Sequence, residues 1–170
     1  MSFKKLFIWL LTRSALLVIF FAVIQRDLFG PFLSDSNLNL IDPWGSWTST
    51  KGRTDAFPYG LLMYVCFVPA ILIYRLLVAF SVSLDFEILI VSTLLFIELL
   101  MYKSMKVFEL KTKDSWSWVA IFSPLAIYIS YIHGQIDIIP TFLLVMSALC
   151  LFRNSWFKAG LFVGFAFSQS

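Results

Sequence analysis

The residues best suited to chemistry are concentrated in one polar stretch, residues 26–57. It contains four aspartates, two arginines and two tryptophans: Asp27, Asp35, Asp42, Asp55, Arg26, Arg53, Trp44 and Trp47. A carboxylate can act as a general base on a hydroxyl, an arginine can neutralise a phosphate, and an indole ring can stack on a sugar. These residue types together predict a sugar or phosphate site. The alternative is a solvated connector whose turns are formed by pairs such as Asp42-Pro43.

A second polar group interrupts the apolar sequence at His133-Gly-Gln-Ile-Asp137. His133 is the only histidine of the chain, and Gln135 and Asp137 follow within four residues. These three side chains are candidates for binding a substrate. The alternative is that His133 is an ordinary interfacial residue and that Asp137 caps the helix after it.

Glu98 is a carboxylate within an apolar run, where an isolated charge is costly and indicates a functional or packing role. The alternative is that Glu98 reaches the membrane surface or pairs with Lys103 or Lys106. Cys66 and Cys150 also lie in apolar runs, so we interpret both as small buried apolar residues without a metal or disulfide role.

The elements that carry these residues must suit a very apolar chain. Hydrophobic residues make up 60% of its 170 residues and charged residues 14%, against about 45–50% and 25% in soluble domains. A soluble fold of this size could not bury so much apolar surface. We therefore predict an all-α, polytopic transmembrane helix bundle forming one membrane domain, residues 1–170. The net charge of +3 is dispersed, which argues against a nucleic-acid partner.

Five or six apolar segments are predicted: Leu6–Gln25, Tyr59–Tyr74, Phe86–Tyr102, Trp118–Ile132 and Ile138–Phe152, with Ala159–Phe167 as the opening of a sixth. Arg13 interrupts the first, and we expect its side chain to snorkel towards the headgroups. Gly160 and Gly164 form a Gly-x-x-x-Gly pattern that favours close helix packing. The sequence ends only nine residues into the last run, which is typical of a fragment of a longer protein.

The distribution of lysine and arginine predicts the topology. Lys4 and Lys5, the lysines of residues 103–113, and Arg153 with Lys158 are expected on the cytoplasmic side. The loop 26–57 and the turn 133–137 would then be extracytoplasmic. This scheme needs an odd number of crossings between residues 58 and 102, where two apolar runs occur. Either one of them is re-entrant or interfacial, or the lysine-rich loop breaks the rule.

The order of several short motifs resembles a known family. Residues 118–137 read Trp-Val-Ala-Ile-Phe-Ser-Pro-Leu-Ala-Ile-Tyr-Ile-Ser-Tyr-Ile-His-Gly-Gln-Ile-Asp, and residues 157–166 read Phe-Lys-Ala-Gly-Leu-Phe-Val-Gly-Phe-Ala. Together with Arg26-Asp27 and Ala56-Phe-Pro-Tyr-Gly60, they are similar to the N-terminal half of the GT-C superfamily of membrane glycosyltransferases. The likeness is greatest to the polyprenyl-phosphate-mannose-dependent bacterial branch and to GPI mannosyltransferase I.

The resemblance implies inverting transfer of a hexosyl unit, with mannose as the first candidate, from a polyprenyl-phosphate donor to an acceptor hydroxyl in envelope glycan synthesis. Asp27 would be the catalytic base, with Asp42 the next candidate. The residues expected to bind substrate are Arg26, Asp55, His133, Gln135 and Asp137. The resemblance leaves a divalent metal ion open as a cofactor. It also implies a multi-pass protein of a bacterial plasma membrane, with membrane lipid and the lipid-linked sugar as partners.

Two departures from the family pattern bear on activity. The loop 26–57 has no Asp-x-Asp, and no lysine follows the Gly-x-Ala segment, because the sequence ends at Ser168-Gln-Ser170. We therefore expect the isolated chain to insert into membranes without catalysing transfer, its C-terminal half being absent. The alternative function is that of a non-enzymatic polytopic membrane protein, such as a transporter half or an assembly partner.

Overall fold

A computed structural model of the chain describes residues 3–19, 25–36, 41–51, 55, 57–112, 123–128 and 136–168. They form eight α-helices and one π-helical segment, and no strand occurs among them. The helices are α1 (Phe3–Ile19), α2 (Gly30–Asp35), α3 (Pro43–Lys51), α4 (Leu61–Ala79), α5 (Phe86–Thr112), α6 (Pro124–Ile127), α7 (Ile138–Phe152) and α8 (Trp156–Phe167), with the π-helical segment Gln25–Phe29 before α2. The predicted all-α helical bundle is thus confirmed.

Two of these helices are long and apolar enough to cross a membrane: α4, and α5 over Phe86–Glu109. The predicted fifth run coincides with α7. By contrast, α5 continues ten residues beyond the predicted end at Tyr102, because its lysine-rich part stays helical and Lys106 pairs with Glu109 one turn later. Of the predicted fourth run, Trp118–Ile132, only residues 123–128 are described.

The helices α4 and α5 form an antiparallel hairpin. Near its turn the ring of Tyr74 packs edge-on against Phe86, with 5.1 Å between their centroids. Helix α1 also runs antiparallel to α5, since Trp9 packs against Tyr102 and Arg13 bonds to Glu98, nearer the start of α5. It follows that α1 and α4 run in the same direction, and the chain between them has to return along the bundle.

Helix α2 lies on this return path and is buried. Phe32 and Leu33 are fully buried against α4 and α5. The carbonyl of Ser36 accepts a hydrogen bond from Arg75 Nη2 at 2.7 Å, and its hydroxyl oxygen accepts one from the Tyr64 hydroxyl at 2.9 Å. The part of the polar stretch that forms α2 is therefore packed into the bundle and not solvated. Helix α2 lies within residues 26–57, so the mismatch of the charge scheme between residues 58 and 102 remains, where α4 and α5 are both long enough to cross a membrane.

Helices α5 and α7 run parallel, and their C-terminal ends meet. Phe108 packs edge-on against Phe152 at 4.7 Å, and the Ser104 hydroxyl donates to Met146 Sδ one turn earlier. Helix α8 folds back antiparallel on α7, with the Ser147 hydroxyl bonded to the Ala159 carbonyl at 2.9 Å. The start of α1, the end of α5 and the α7–α8 turn therefore lie together. We call this the basic end of the bundle, because the lysines and arginines that are predicted to be cytoplasmic lie next to these contacts in the chain.

The prediction for Arg13 was wrong. Its side chain is only 1% exposed and forms an ion pair with Glu98. Arg13 Nε lies 3.2 Å from both carboxylate oxygens, and the indole N–H of Trp9 donates to the same carboxylate at 3.2 Å. The partner of Glu98 is thus an arginine of α1 and not a neighbouring lysine. Two opposite charges that neutralise each other can stay inside an apolar bundle, where either alone would have to reach water.

The Gly-x-x-x-Gly pattern forms no described helix contact. Helix α8 packs on α7 through the opposite face, where Ala159 and Ala166 are buried. A Cβ built on Gly160 or Gly164 would meet no atom within 4 Å, so both glycines face away from the described helices.

Candidate functional site

An aromatic cluster attaches the polar stretch to α4. The rings of Phe32 and Phe57 stack at 5.0 Å with 5° between their planes, and the Trp44 indole N–H donates to the Phe57 carbonyl at 2.8 Å. The cluster consists of Phe29, Phe32, Trp44, Trp47, Phe57, Tyr59, Tyr64 and Phe67. Trp47 is only 8% exposed. Both tryptophans of the predicted site therefore serve as packing anchors in this arrangement.

Asp27 and Arg26 lie in the π-helical segment and form a two-bonded ion pair. Arg26 Nε is 2.7 Å from Asp27 Oδ1, and Nη2 is 3.3 Å from Oδ2. Both side chains are half exposed. The hydrogen bond from Arg26 lowers the pKa of Asp27, and the same bond raises the pKa of Arg26, with a small further contribution from the charge of Glu87. The Asp27 carboxylate is therefore ionised at neutral pH.

Glu87 is a nearby carboxylate that the sequence did not single out. A Cβ on Gly30 would lie 3.2 Å from Glu87 Oε1 and 3.0 Å from the Gln25 carbonyl. Glycine at this position is what allows the π-helical segment to approach the start of α5 so closely. In the sequence, Glu87 stands out only as an acidic residue in the first turn of a predicted helix, where its charge stabilises the helix by interacting with the helix dipole.

The structure gives Asp42 a local role. Its Oδ1 accepts the Gly45 N–H at 2.7 Å, three residues on, and Pro43 occupies the first position of α3. This is the geometry of an N-cap, which the turn-forming alternative anticipated. The role of Asp42 as the next candidate for the catalytic base stays a prediction. Asp55 is exposed, and Asp35 pairs with Lys51 at 3.6 Å on the surface.

Asp137 faces a different environment. Its side chain forms no capping bond to α7, so the capping alternative was wrong, and only its backbone carbonyl serves the helix, by accepting from Thr141. Its charge acts on the half-buried Tyr59, whose phenol oxygen accepts the Ile136 N–H. Burial, and then the Asp137 charge, raise the pKa of Tyr59 to about 12. Sequence reasoning missed Tyr59 as a site residue, although the Phe-Pro-Tyr element contains it.

Tyr59 connects the two predicted halves of the site. Its ring packs edge-on against Phe29 at 5.6 Å, two residues after Asp27, while its hydroxyl faces the turn that carries Asp137. His133 and Gln135 lie outside the described residues. Within the described part of the chain, no group of three histidine, cysteine, aspartate or glutamate side chains could hold a metal ion.

Comparison with known proteins decides the family. The model of glycosyltransferase family 87 matches residues 57–168, which is more than half of the chain. The chain belongs to glycosyltransferase family 87. No curated protein and no solved structure matches it. The family 87 match begins at Phe57, the first residue of the Phe-Pro-Tyr element, and includes Asp137, whereas Asp27 and Asp42 precede it. Membership confirms the predicted glycosyltransferase, and the apolar helices agree with its membrane location.

Proposed function

We propose that this family 87 member is a multi-pass glycosyltransferase of the GT-C type in a bacterial plasma membrane. It transfers a hexosyl unit, with mannose as the first candidate, from a polyprenyl-phosphate donor to an acceptor hydroxyl during envelope glycan synthesis. The family match, on a bundle that contains two apolar helices of spanning length, carries this proposal. The match favours a glycosyltransferase over the non-enzymatic alternative.

In the proposed mechanism Asp27 is the general base. The acceptor oxygen forms a bond to the anomeric carbon while the bond from that carbon to the donor phosphate breaks, with inversion. The acceptor proton passes to Asp27 as an oxocarbenium-like centre develops. The lipid phosphate leaves with the electron pair of the broken bond. Arg26, directly beside Asp27, is the cation that stabilises its charge. Asp137 and Asp55 contribute to sugar binding.

An apolar groove supports a lipid-linked donor. It lies between α4 and α5, has a volume of about 370 Å³, and is lined by Cys66, Pro69, Ala70, Ile73, Leu89, Ser92, Thr93, Phe96 and Ile97. The hydroxyls of Ser92 and Thr93 bond to carbonyls of their own helix, so they present little polarity to the groove. The volume is within the usual range of ligand sites, and the chemistry fits an isoprenoid tail.

Exchanging the aspartates tests the proposal. We expect Asp27→Asn to lower transfer from polyprenyl-phosphate-mannose in proteoliposomes by about 10²–10⁴-fold, the usual contribution of a general base. Asp42→Asn is the matched control, because an asparagine oxygen still caps α3, and it should retain activity. Normal transfer by Asp27→Asn together with loss in Asp42→Asn would assign the base to Asp42. Failure of the natural full-length protein with every polyprenyl-phosphate hexose would overturn the proposed function.

A further inference from the structure

The turn between α7 and α8 is closed by its own backbone. The Ser155 N–H donates to the Cys150 carbonyl at 2.9 Å, and the Asn154 N–H donates to the Leu151 carbonyl at 2.9 Å. These two bonds form the Schellman pattern of a helix C-terminus. Asn154 adopts the left-handed conformation that the pattern needs, with φ at 54°, and asparagine tolerates this region better than most residues. The backbone that carries the side chains of this turn is therefore fixed.

The side chains of the turn combine positive charge with exposed aromatic rings. Arg153 and Lys158 are exposed, and neither forms an ion pair within the part of the chain that the structure describes. Elsewhere, four basic residues do pair with a carboxylate: Arg13, Arg26, Lys51 and Lys106. Between the two cations of the turn, Trp156 and Phe157 are 72% and 79% exposed. We call residues 153–158 the basic turn.

Contacts with α5 set the depth of the basic turn in a membrane. Phe152, the last residue of α7, packs edge-on against Phe108 at 4.7 Å, and Phe108 lies at the end of the apolar stretch Phe86–Glu109. At about 1.5 Å per residue, α5 is about 33 Å long from Phe86 to Phe108, close to the ~30 Å hydrocarbon core of a bilayer. If α5 spans the bilayer, the basic turn therefore lies at the level of the lipid headgroups.

We propose that the basic turn is a binding surface for the headgroups of anionic phospholipids. Arg153 and Lys158 bind the headgroup phosphate, while the rings of Trp156 and Phe157 lie at the boundary between headgroups and acyl chains, which aromatic residues favour. Cations attract anionic lipid only within about a Debye length of the membrane surface, so their placement at headgroup level is what makes them effective. This inference rests on the proposed multi-pass arrangement, in which α5 crosses the membrane.

Quenching of Trp156 by brominated lipids tests the inference. The natural full-length protein would be placed in phosphatidylcholine vesicles that contain equal small fractions of brominated phosphatidylglycerol or of brominated phosphatidylcholine. The Trp156 signal is the difference between this protein and Trp156→Phe. We expect the basic turn to prefer the anionic lipid by about fivefold or more, the attraction typical of one basic residue near a membrane surface. The double variant Arg153→Gln with Lys158→Gln should lose the preference. Lys51→Gln, which removes an exposed cation that pairs with Asp35, is the control and should keep it.

The outcomes separate this inference from the function proposed above. Equal quenching by the two lipids in the natural protein, or a preference that survives in the double variant, would overturn the inference and leave the glycosyltransferase proposal in place. If neither lipid quenches Trp156, the turn does not lie at the membrane surface, and the multi-pass arrangement fails with the inference. Should the double variant not accumulate in the membrane, a salt series on the natural protein provides the second test. The preference should decrease as salt screens the exposed charges, and a preference that salt leaves unchanged would also contradict the inference.

Discussion

At the scale of single residues, the state of Asp27 depends on the residue before it. Arg26 bonds to both carboxylate oxygens and lowers the pKa of Asp27. An ionised carboxylate is what a general base requires, but a paired one is a weaker base. A donor phosphate near Arg26 would compete for its N–H groups, and the carboxylate would then become more basic when substrate is bound.

The pH dependence of transfer should reveal this pair. Asp27 must be ionised to accept a proton, so activity falls as the pH drops through its pKa. Since Arg26 lowers that pKa, we expect Arg26→Gln to move the acidic limb of the kcat/KM profile to higher pH, towards the usual aspartate value of about 3.9. Lys51→Gln removes a cation that pairs with Asp35 instead, and it should leave the limb in place. An unmoved limb in Arg26→Gln would argue that another group is the base.

The site could be predicted where its signals were local. The capping geometry of Asp42 follows from Asp-Pro and a glycine three residues on, and the family motifs contained Tyr59 and Asp137. Glu87 and the burial of Trp47 were not predictable, because each depends on contacts between segments far apart in the chain. That Asp27 pairs with its neighbour Arg26 could have been predicted from the sequence. That Glu87 approaches the segment containing this pair could not, because the approach depends on Gly30.

At the scale of the helices, a buried ion pair fixes how α1 lies on α5. Arg13 and Glu98 are 1% and 4% exposed at their side chains, and Trp9 bonds to the same carboxylate. Apolar helices in lipid gain little from burying apolar surface against each other, so polar contacts and close packing set their register. The sequence showed two charges in apolar runs, but not that they were partners.

Removing one charge should destabilise the protein more than removing both. Glu98→Gln leaves Arg13 buried without its counter-ion, and such losses typically cost about 3–5 kcal/mol. Replacing both residues, as in Arg13→Met with Glu98→Leu, should recover most of that stability. Asp35→Asn is the control, since Asp35 and its partner Lys51 are both about half exposed, and it should change the unfolding midpoint in detergent very little. Equal or additive losses in the single and double variants would contradict a coupled pair.

At the scale of the whole molecule, contacts between helices bring the basic segments of the chain to one end of the bundle. The start of α1, the end of α5 and the α7–α8 turn share the basic end. The all-α class and most helix positions followed from composition and apolar runs. The return of the chain through α2 did not, because six residues are too few to stand out as an apolar segment. That helix is fixed by Tyr64 and Arg75, which come some thirty to forty residues later.

Labelling from the two sides of the membrane should place both halves of the site together. In a background without Cys66 and Cys150, single cysteines at Ser46 and Gln135 would be exposed to a membrane-impermeant reagent. We expect both to react from the extracytoplasmic side, because basic segments flank these positions in the chain. A cysteine at Lys158 is the control and should react only from the cytoplasmic side. Reaction of the first two positions from opposite sides would contradict the arrangement.

The contact between Arg13 and Glu98 also has a consequence for biosynthesis. The two residues are separated by 85 positions in the chain, and a ribosome adding about 5–20 residues per second needs roughly 4–17 s to make that interval. In the proposed multi-pass arrangement, α1 would enter the bilayer during this time carrying an arginine without its carboxylate, and α2 would emerge before the helices that bury it. The nascent first helix would then hold an unpaired buried charge until α5 arrives, and any pause in translation between residues 13 and 98 would lengthen that interval.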